Sequence, residues 1–574
     1  MTAPPPQRGR DPRLPYILVG AAVLILLVSA AIVFWPEPPP TSTTSTTETT
    51  DIGTTTTEDG PTTSTTIIPG PTTPTSGSPP TTIGIPPPQA FDYDVVVVGD
   101  GLGGIGAAVT AARLGADVAL LSEYAFLGGQ AGSAGVSTMD EGSNHAVLRR
   151  SGIYGELASF VQAIYPTGET GDCYFVDDSL CPEPFIVDQF FRGLVSQAGV
   201  DLHSINQIDS VLQVGNKVTG VLADGSTFNA AVVIDATEFS DLYPLVDGLA
   251  YELGGDGGCV QDTTWLAIRS WYPGNPPEDL VPTRDAAQQL FDVYGTEFDR
   301  WLESFRGSVL NVPDRGTTGP GITPWDVATE TQYRALADRR DYSTTDGVPS
   351  ITRTGVNYAN DYPLSLAAIE NPATRISEFT TAIDKTYAYL WYLRWELGVT
   401  EWGIDTTQGY SAGQRMLWSP QIPDAIEVHM PLAPYVREGR RLVGVESLTS
   451  ADLSNDVRGF HRFDNSVMLG GYFSDFHGCT EPESGAGFGL FEVPMGVFIP
   501  ATIDGFMPGM ARSASVARSA AAAVRTQPEE IWSGQAVGII AALAVRNGIE
   551  VREVSPAAVQ ELLLANGLIY FLPG

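Results

Sequence analysis

The feature that most constrains this chain is an apolar strand that runs directly into a cluster of glycines. Val95–Val98 form a continuous apolar run, as expected at the centre of a parallel sheet that is covered on both faces. Gly99, Gly101 and Gly104 follow with the spacing G-x-G-x-x-G. This spacing permits a tight turn, a close approach of the backbone to a pyrophosphate, and close packing of helix on strand. The helix that begins here directs its free amide groups towards the phosphates.

A second apolar strand follows this helix and ends at Glu123, nineteen residues after Gly104. A carboxylate at this distance can accept hydrogen bonds from both hydroxyls of an adenosine ribose. The pattern therefore predicts a dinucleotide-binding unit, and the alternative is a flexible glycine loop in an unrelated α/β fold. Asp100 places a carboxylate inside the phosphate loop, which requires its side chain to point away or to pair locally.

The next segment, "YAFLGGQAGSAGVSTMDEG", makes the prediction more specific. It resembles the FAD-dependent oxidoreductases of the family that includes heterodisulfide reductase-like flavoproteins. Members of that family carry an LGG-x-x segment here that packs against the phosphates of the flavin nucleotide. The resemblance implies FAD as the cofactor and places Gly128, Gly129 and Gln130 beside it. The alternative is a second glycine turn that contacts no ligand.

The resemblance continues after a predicted hairpin, "KVTGVLADGSTFNAAVVID", whose turn residues are Asp224 and Gly225. The hairpin is followed by "DATEFSD", and in the family this segment returns to the cofactor domain beside the adenosine half. The resemblance therefore adds Ala236 and Thr237 to the expected cofactor-binding residues.

The far end of the chain, from "DGFMPGMARS" to "GQAVGIIAALAV", resembles the closing flavin-binding segment of the family. The resemblance places Arg512 and Arg525 at the cofactor. It also places Gly534-Gln535-Ala536 at the start of a helix whose dipole would stabilise negative charge on the flavin. Arg518 stands where many relatives have a histidine, so a proton-transfer role does not carry over, because arginine stays protonated. Two remote segments are thus expected to build one cofactor site.

Candidate catalytic residues come from two further segments that resemble the family. Asp475 and His477 lie close together in "GYFSDFHGC", and such a pair can position an imidazole for proton transfer. The alternative is a hydrogen-bonded histidine that fixes a turn. Arg437 precedes Arg440 and Arg441, and forked guanidinium groups suit carboxylates or phosphates of the substrate or of FAD. The alternative is that these arginines pair with surface acids.

The middle of the chain carries weaker indications of structure and of a substrate site. An aromatic stripe that includes Tyr387, Trp391 and Trp395 predicts a helix, and such a stripe is more often core than substrate platform. The polar segment that contains Asn360–Tyr362 either lines a pocket or forms a surface loop.

The N-terminus predicts a membrane anchor. Residues 17–35 are uncharged and almost wholly apolar, and at about 1.5 Å per residue they form a helix long enough to cross a bilayer. Arginines precede this segment, so we expect a cytoplasmic N-terminus and an extracytoplasmic C-terminal part, as a single-pass protein of the cell membrane. The alternative is a signal peptide cleaved near Val28-Ser29-Ala30, which would give a secreted protein. Residues 36–90 are rich in threonine and proline and predict a disordered linker.

Charge and cysteine content indicate which partners and metal sites the sequence does not support. The formal net charge of −36 argues against a nucleic-acid partner. No C-x-x-C pair is present, so the sequence gives no support for a zinc or iron–sulfur site. Four cysteines in an exported chain suggest disulfides, with Cys173–Cys181 as the local pair and Cys259–Cys479 by elimination. Four buried free thiols are the alternative.

These observations predict an α/β protein with a Rossmann-type, three-layer FAD-binding fold interrupted by a mixed α/β substrate domain. The expected function is two-electron transfer between a small organic substrate and FAD, with a further electron acceptor that the sequence does not identify. The competing hypothesis is an anchored, non-catalytic surface or adhesion module that retains the fold. The expected segments are a cytoplasmic N-terminus (1–16), a transmembrane helix (17–35), a linker (36–90), two parts of the FAD-binding domain (91–245 and 471–574) and a substrate domain between them (246–470).

Overall fold

The computed structural model describes residues 88–141, 149–165, 180–285, 287–306, 334–340, 351–413, 417–453, 462–479 and 490–571. All of these belong to one compact unit that spans Pro87–Gly574. The predicted transmembrane helix and nearly all of the predicted linker lie outside the described residues. Within the described ranges, no helix is both long enough and apolar enough to span a membrane. The predicted domain boundaries stay predictions.

The unit contains both strands and helices. The strands are β1 Ala90–Val98, β2 Val118–Ser122, β3 Asp201–Ser204, β4 Ile208–Val214, β5 Lys217–Ala223, β6 Ser226–Asp235, β7 Tyr251–Leu253, β8 Ala267–Trp271, β9 Arg353–Val356, β10 Trp402–Ile404, β11 Arg440–Leu442, β12 Ser466–Gly470, β13 Phe491–Pro494 and β14 Phe506–Pro508. The α-helices are α1 Leu102–Arg113, α2 Gly152–Ile164, α3 Pro184–Ala198, α4 Gln288–Arg306, α5 Leu366–Glu370, α6 Pro372–Trp395, α7 Asp424–Glu427, α8 Arg518–Ala521, α9 Gln527–Asn547 and α10 Pro556–Ala565.

The main sheet has the order β3-β2-β1-β6-β5-β4, and β14 also pairs with β6. The pairs β3–β2, β2–β1, β1–β6 and β6–β14 are parallel. Val95–Val98 of β1 are completely buried, and they alternate between two apolar clusters, one on each face of the sheet. This confirms the prediction of a mixed α/β fold with a parallel sheet, in which a central strand is apolar throughout because both of its faces are covered.

The predicted hairpin is present as β5 and β6, which pair antiparallel. Asp224 and Gly225 form its two-residue turn, and both have positive φ, at 47° and 73°. An Asp-Gly turn of this type matches the twist of the flanking strands, which is why the sequence signal was sufficient here.

Helices α1 and α9 cross at glycines, although their sequences are more than four hundred residues apart. A Cβ on Gly534 would lie 2.0 Å from the carbonyl oxygen of Gly103. A Cβ on Gly538 would lie 2.5 Å from the carbonyl oxygen of Ala107. No side chain fits at these crossings, so the two backbones touch and the C-terminal helix is fixed against the first helix of the glycine motif.

A separate apolar cluster lies in the middle of the chain, around α6. Tyr387 and Trp391 of this helix are buried in it, whereas Trp395 is exposed at 37%. The aromatic stripe is therefore mainly core, as the sequence indicated. Two smaller sheets adjoin it, with the strand orders β10-β8-β9 and β11-β7.

Candidate functional site

The two predicted glycine loops meet. Gly101 precedes α1, and no side chain caps the first amide groups of that helix. A Cβ on Gly129 would lie 2.7 Å from the Cα atom of Gly101, and the amide of Gly128 donates to the carbonyl oxygen of Asp100 at 3.1 Å. Uncapped amides at a helix start, next to a second glycine loop, are the usual arrangement for a bound pyrophosphate.

At the remaining glycines of the motif, Gly99 and Gly104, the structure leaves no room for a side chain. Gly99 has a φ of +109°, and a Cβ there would lie 2.3 Å from the carbonyl oxygen of Ala236. A Cβ on Gly104 would lie 2.9 Å from the Cβ of Ala236. Ala236 thus packs directly on the loop at the end of β6, and the next residue, Thr237, donates to the Asp235 carboxylate at 2.7 Å.

Asp100 pairs locally, as the sequence required. Its carboxylate accepts hydrogen bonds from the Ser122 hydroxyl at 2.5 Å and from the Tyr124 amide at 3.3 Å. Burial raises the pKa of Asp100 to about 7, against the effect of these hydrogen bonds. The side chain is therefore held away from the helix start by the end of the neighbouring strand.

Glu123 lies immediately after β2, at the position expected for a ribose-binding carboxylate. Burial, followed by the nearby charge of Asp241, raises its pKa to about 8, and Arg375 partly opposes this shift. Arg375 itself forms two hydrogen bonds to Asp241, both of 2.8 Å. The hydroxyl-accepting role of Glu123 stays a prediction.

A small cavity lies next to the glycine loops. It is lined by Leu102, Gln130, Glu238, Val436, Met510, Arg512 and Glu530. Its walls thus come from both ends of the unit and from the middle, which confirms the expectation that remote segments converge at the glycine motif. The space adjoins the uncapped amides of α1, where the pyrophosphate of a dinucleotide would lie.

The polar groups of this cavity fit such a ligand. Gln130 Oε1 and Glu530 Oε2 are buried and have no hydrogen-bond partner within the described part of the chain. Arg512 binds Glu238 through a hydrogen bond of 2.5 Å and Glu530 through one of 3.2 Å. Burial raises the pKa of Glu530 to about 8 despite Arg512. Uncapped helix amides, a buried arginine and unpaired buried oxygens together fit the phosphates and hydroxyls of FAD.

The expectation that Gly534-Gln535-Ala536 begins a helix is wrong. Helix α9 begins at Gln527, after Thr526 as its N-cap, because Pro528 is favoured in the first turn. Gly534 instead lies where α9 crosses α1, Gln535 accepts from the amide of Ile153 at 2.9 Å, and Ala536 is fully buried. The uncapped amides of this helix lie at its true start, two residues after Arg525.

Arg525 links the cofactor loop to the candidate catalytic residues. Its carbonyl oxygen accepts from the Gln130 side chain at 3.0 Å, and its guanidinium binds the Asp475 carboxylate at 3.0 Å and the Tyr435 hydroxyl. Asp475 in turn lies 3.4 Å from Nε2 of His477. A continuous chain of polar contacts therefore runs from the second glycine loop to the imidazole.

The tightest contact of His477 is with Asp361, which the sequence placed only in an ambiguous loop. Nδ1 of His477 lies 2.5 Å from Oδ2 of Asp361. Arg437 also contacts Asp361, at 3.4 Å, and donates to the Thr264 hydroxyl at 2.8 Å. Burial opposes ionisation of Asp361, but Arg437 and His477 lower its pKa to about 2. The three predicted catalytic residues, His477, Asp475 and Arg437, are thus brought together around a carboxylate.

Tyr358 completes this cluster. Its ring centroid lies 4.5 Å from that of His477, and its φ of +93° is unusual for a residue with a side chain. Burial, followed by the charges of Asp475 and Asp361, raises the pKa of Tyr358 to about 12. A strained backbone beside a buried histidine is the type of feature that concentrates at functional sites.

Three other arginines form buried ion pairs. Arg518 binds both oxygens of Glu438, at 2.7 and 2.9 Å, and Arg441 contacts the same carboxylate at 3.1 Å. Arg440 contacts Asp241 at 3.0 Å. The alternative of pairing with acids of the chain therefore holds for Arg440 and Arg441, although these arginines are buried rather than on the surface.

A disulfide adjoins the histidine cluster. Cys259 and Cys479 are bonded, which confirms that predicted pair. Cys181 is also disulfide-bonded, whereas Cys173 lies outside the described residues. The alternative of free thiols is wrong for the cysteines that the structure describes, because none of them is free.

Two functional candidates escaped the sequence interpretation. Asp361 was one polar residue in a turn-rich segment, and Tyr435 precedes the arginine segment by two residues without any motif of its own. Their roles depend on contacts with residues about 90 to 116 positions away, namely Arg525 and His477. A single sequence carries no signal for such pairs.

Comparison with known proteins identifies the family. The model of the FAD dependent oxidoreductase family matches residues 94–563. No curated protein matches the chain significantly. Similar solved structures include a geranylgeranyl bacteriochlorophyll reductase-like protein from Thermoplasma acidophilum (19% identity, 33% of this chain, 49% of that chain, TM-score 0.23). Others are an FAD dependent oxidoreductase from Pseudomonas aeruginosa (19%, 32% and 58%, 0.23) and an L-proline dehydrogenase from P. horikoshii (14%, 33% and 62%, 0.22).

This chain covers less than two thirds of each of these three structures, so the assignment depends on the family model. The narrower resemblance to heterodisulfide reductase-like flavoproteins stays a prediction. Because the family model matches most of the sequence, including both segments that converge at the glycine motif, the chain belongs to the FAD dependent oxidoreductase family.

Proposed function

We propose that this FAD-dependent oxidoreductase transfers two electrons between a small organic substrate and FAD, with His477 as the group that exchanges a proton with the substrate. The observation that carries the proposal is the contact of 2.5 Å between Nδ1 of His477 and Asp361, inside a polar network that reaches the cofactor loop through Arg525. Bound FAD would supply the two-electron chemistry.

The roles of the side chains follow from their contacts. Asp361, with its pKa lowered to about 2, is a carboxylate at neutral pH, fixes the tautomer and orientation of His477, and stabilises the imidazolium. Nε2, which lies 3.4 Å from Asp475, is then the nitrogen that would hold or accept the proton of the substrate. Arg437 keeps Asp361 ionised and in place. Gly101, Gly129, Gln130 and Arg512 would hold the cofactor.

The test uses the full-length protein, purified in detergent with FAD. A flavin absorbance that bleaches with dithionite is expected, and a panel of hydroxy acids, amines and thiols is then screened with a dye as electron acceptor. His477→Asn should lose about 10²-fold or more of the activity found while keeping the flavin. His203→Asn, a change of a half-buried histidine that contacts Tyr93 on the far sheet edge, is the matched control.

Two outcomes would contradict the proposal. A colourless protein that takes up no added FAD would favour the non-catalytic surface module. A His477→Asn variant with full activity would remove His477 from proton transfer and leave the family membership intact.

We also propose that residues 17–35 anchor the protein in the cell membrane with the C-terminal unit outside the cytoplasm. The disulfide between Cys259 and Cys479 supports this location, since disulfides persist in oxidising compartments. Reporters active only inside or only outside the cytoplasm, fused to the C-terminus, test the orientation. A signal from the cytoplasmic reporter alone would overturn it, and a soluble protein in the medium would indicate cleavage and secretion.

A further inference from the structure

The disulfide between Cys259 and Cys479 lies at the surface of the unit. Both cysteines are half-buried, and Gly257, two residues before Cys259, and Gly478, next to Cys479, are exposed. An external thiolate can open a disulfide only where it reaches a sulfur atom, so this bond meets the first requirement for exchange.

A cation contacts one of the two sulfur atoms. Nη2 of Arg518 lies 3.2 Å from Sγ of Cys479 and donates to the carbonyl oxygen of that residue at 3.1 Å. Glu438 binds both Arg518 and Arg441, and Arg441 also contacts Glu252 at 3.4 Å. A neighbouring positive charge stabilises a thiolate. Cys479 is therefore the better leaving group of the pair.

The disulfide lies next to the hydrogen bonds that hold the backbone of His477. The amide of Asp262 donates to the carbonyl oxygen of His477 at 2.9 Å. The amide of His477 donates to Oε1 of Gln261 at 3.3 Å, and Gln261 pairs with Gly478 as an isolated antiparallel bridge. The bond between Cys259 and Cys479 thus helps to keep the segment that contains Gln261 paired with the segment that contains His477.

We propose that this disulfide is an exchange site for an external dithiol, and that opening it loosens the backbone that holds His477. A thiolate of the dithiol attacks Sγ of Cys259, and the bonding electrons leave with Sγ of Cys479 as a thiolate beside Arg518. The second thiolate then attacks the mixed disulfide and releases Cys259, which takes up a proton. The protein disulfide gains two electrons, and the dithiol leaves as a disulfide.

This exchange regulates the proposed site without taking part in its chemistry. With the bond closed, the carbonyl and amide of His477 are fixed and its ring meets Asp361. With the bond open, the covalent link to Cys259 no longer reinforces the hydrogen bonds to Asp262 and Gln261, so the segment opens more often. The inference depends on the described contacts and not on whether His477 transfers a proton.

The test measures exchange on the oxidised full-length protein. Dithiothreitol is used in one arm and reduced thioredoxin in the other, which separates a small dithiol from a protein dithiol. Alkylation and peptide mass spectrometry follow the release of Cys259 and Cys479, with the fully buried Cys181 as an internal reference. Arg518→Gln should slow the release about threefold to tenfold, and Glu438→Gln should accelerate it. Arg113→Gln, at an exposed ion pair with Glu156, should change nothing.

Two further measurements need no variant. Glutathione, a monothiol, should leave its adduct on Cys259 rather than Cys479, and reduction should speed amide hydrogen exchange over residues 476–479 about tenfold or more.

An adduct mainly on Cys479, or an Arg518→Gln rate equal to the wild-type rate, would overturn the exchange site. Unchanged hydrogen exchange after reduction would overturn the coupling to His477. If neither dithiol opens the Cys259–Cys479 bond faster than it opens the disulfide of Cys181, the Cys259–Cys479 disulfide is purely structural.

Discussion

Nδ1 of His477 lies 2.5 Å from Oδ2 of Asp361, although 116 residues separate them in the sequence. Burial opposes ionisation of the two carboxylates around this imidazole, but Arg437 and His477 lower the pKa of Asp361, and His477, Arg525 and Arg437 lower that of Asp475. Most of the behaviour that we expect from the site follows from this arrangement.

Asp361→Asn should reduce activity about 10²-fold or more while the flavin stays bound. The amide keeps the shape of the side chain but removes the charge that stabilises the imidazolium and fixes the tautomer of His477. Steady-state kinetics on the substrate found in the screen would show the loss in kcat. Asp424→Asn, at an exposed position, is the control, and a kcat equal to that of this control would argue against the pair.

Gly101→Val should abolish FAD binding without unfolding the protein. A Cβ at Gly101 meets nothing closer than 3.5 Å, at Oε1 of Glu238, and its backbone is extended, so the chain accommodates the side chain. The valine would nevertheless block the approach of a pyrophosphate to the helix start. Flavin absorbance and thermal unfolding of the FAD-free protein measure the two effects. A yellow variant would show that the cofactor binds elsewhere.

Gly534→Ala should destabilise the protein by about 1–3 kcal/mol, because its Cβ would lie 2.0 Å from the carbonyl oxygen of Gly103. Gly193→Ala is the matched control, since Gly193 lies in α3 and its Cβ would meet only the end of Gln197 at 4.0 Å. That change should be neutral or stabilising by about 0.5–1 kcal/mol. Chemical denaturation measures both, and equal values would mean that the helix crossing adapts.

The stability of the FAD-free protein should fall as the pH rises from about 5 to 9. Burial raises the pKa of Asp100 to about 7 and those of Glu123 and Glu530 to about 8. Because the unfolded chain ionises these groups near pH 4, the stability is fully present below that value and is lost as the pH passes the folded pKa values.

Thermal unfolding between pH 5 and 9 measures this loss. Glu530→Gln should make the decline shallower, whereas Asp452→Asn, at an exposed turn, should leave it unchanged. A melting temperature that rises steadily over the same range would contradict the role of the buried acids.

Local patterns predicted the parts of the fold that depend on neighbouring residues. The strand Val95–Val98, the helix after Gly101 and the Asp224-Gly225 turn were all predicted, because burial on both faces, a glycine loop and a positive-φ turn leave signals within a few residues. The helix that contains Gly534 was also expected, but its start was placed too late. Thr526 and Pro528 set the start, whereas the glycine serves a crossing that the local pattern does not show.

The sequence by itself determined the family, the cofactor and the sheet that positions the glycine loop. It also brought His477, Asp475 and Arg437 forward as candidates. Only the tertiary structure decided that Asp361 holds His477, that Arg525 joins this pair to the cofactor loop, and that Arg518 contacts Cys479. The physical reason is distance along the chain: secondary structure follows from local backbone preferences, whereas a buried charge is stabilised by partners that only the folded chain brings within a few ångströms.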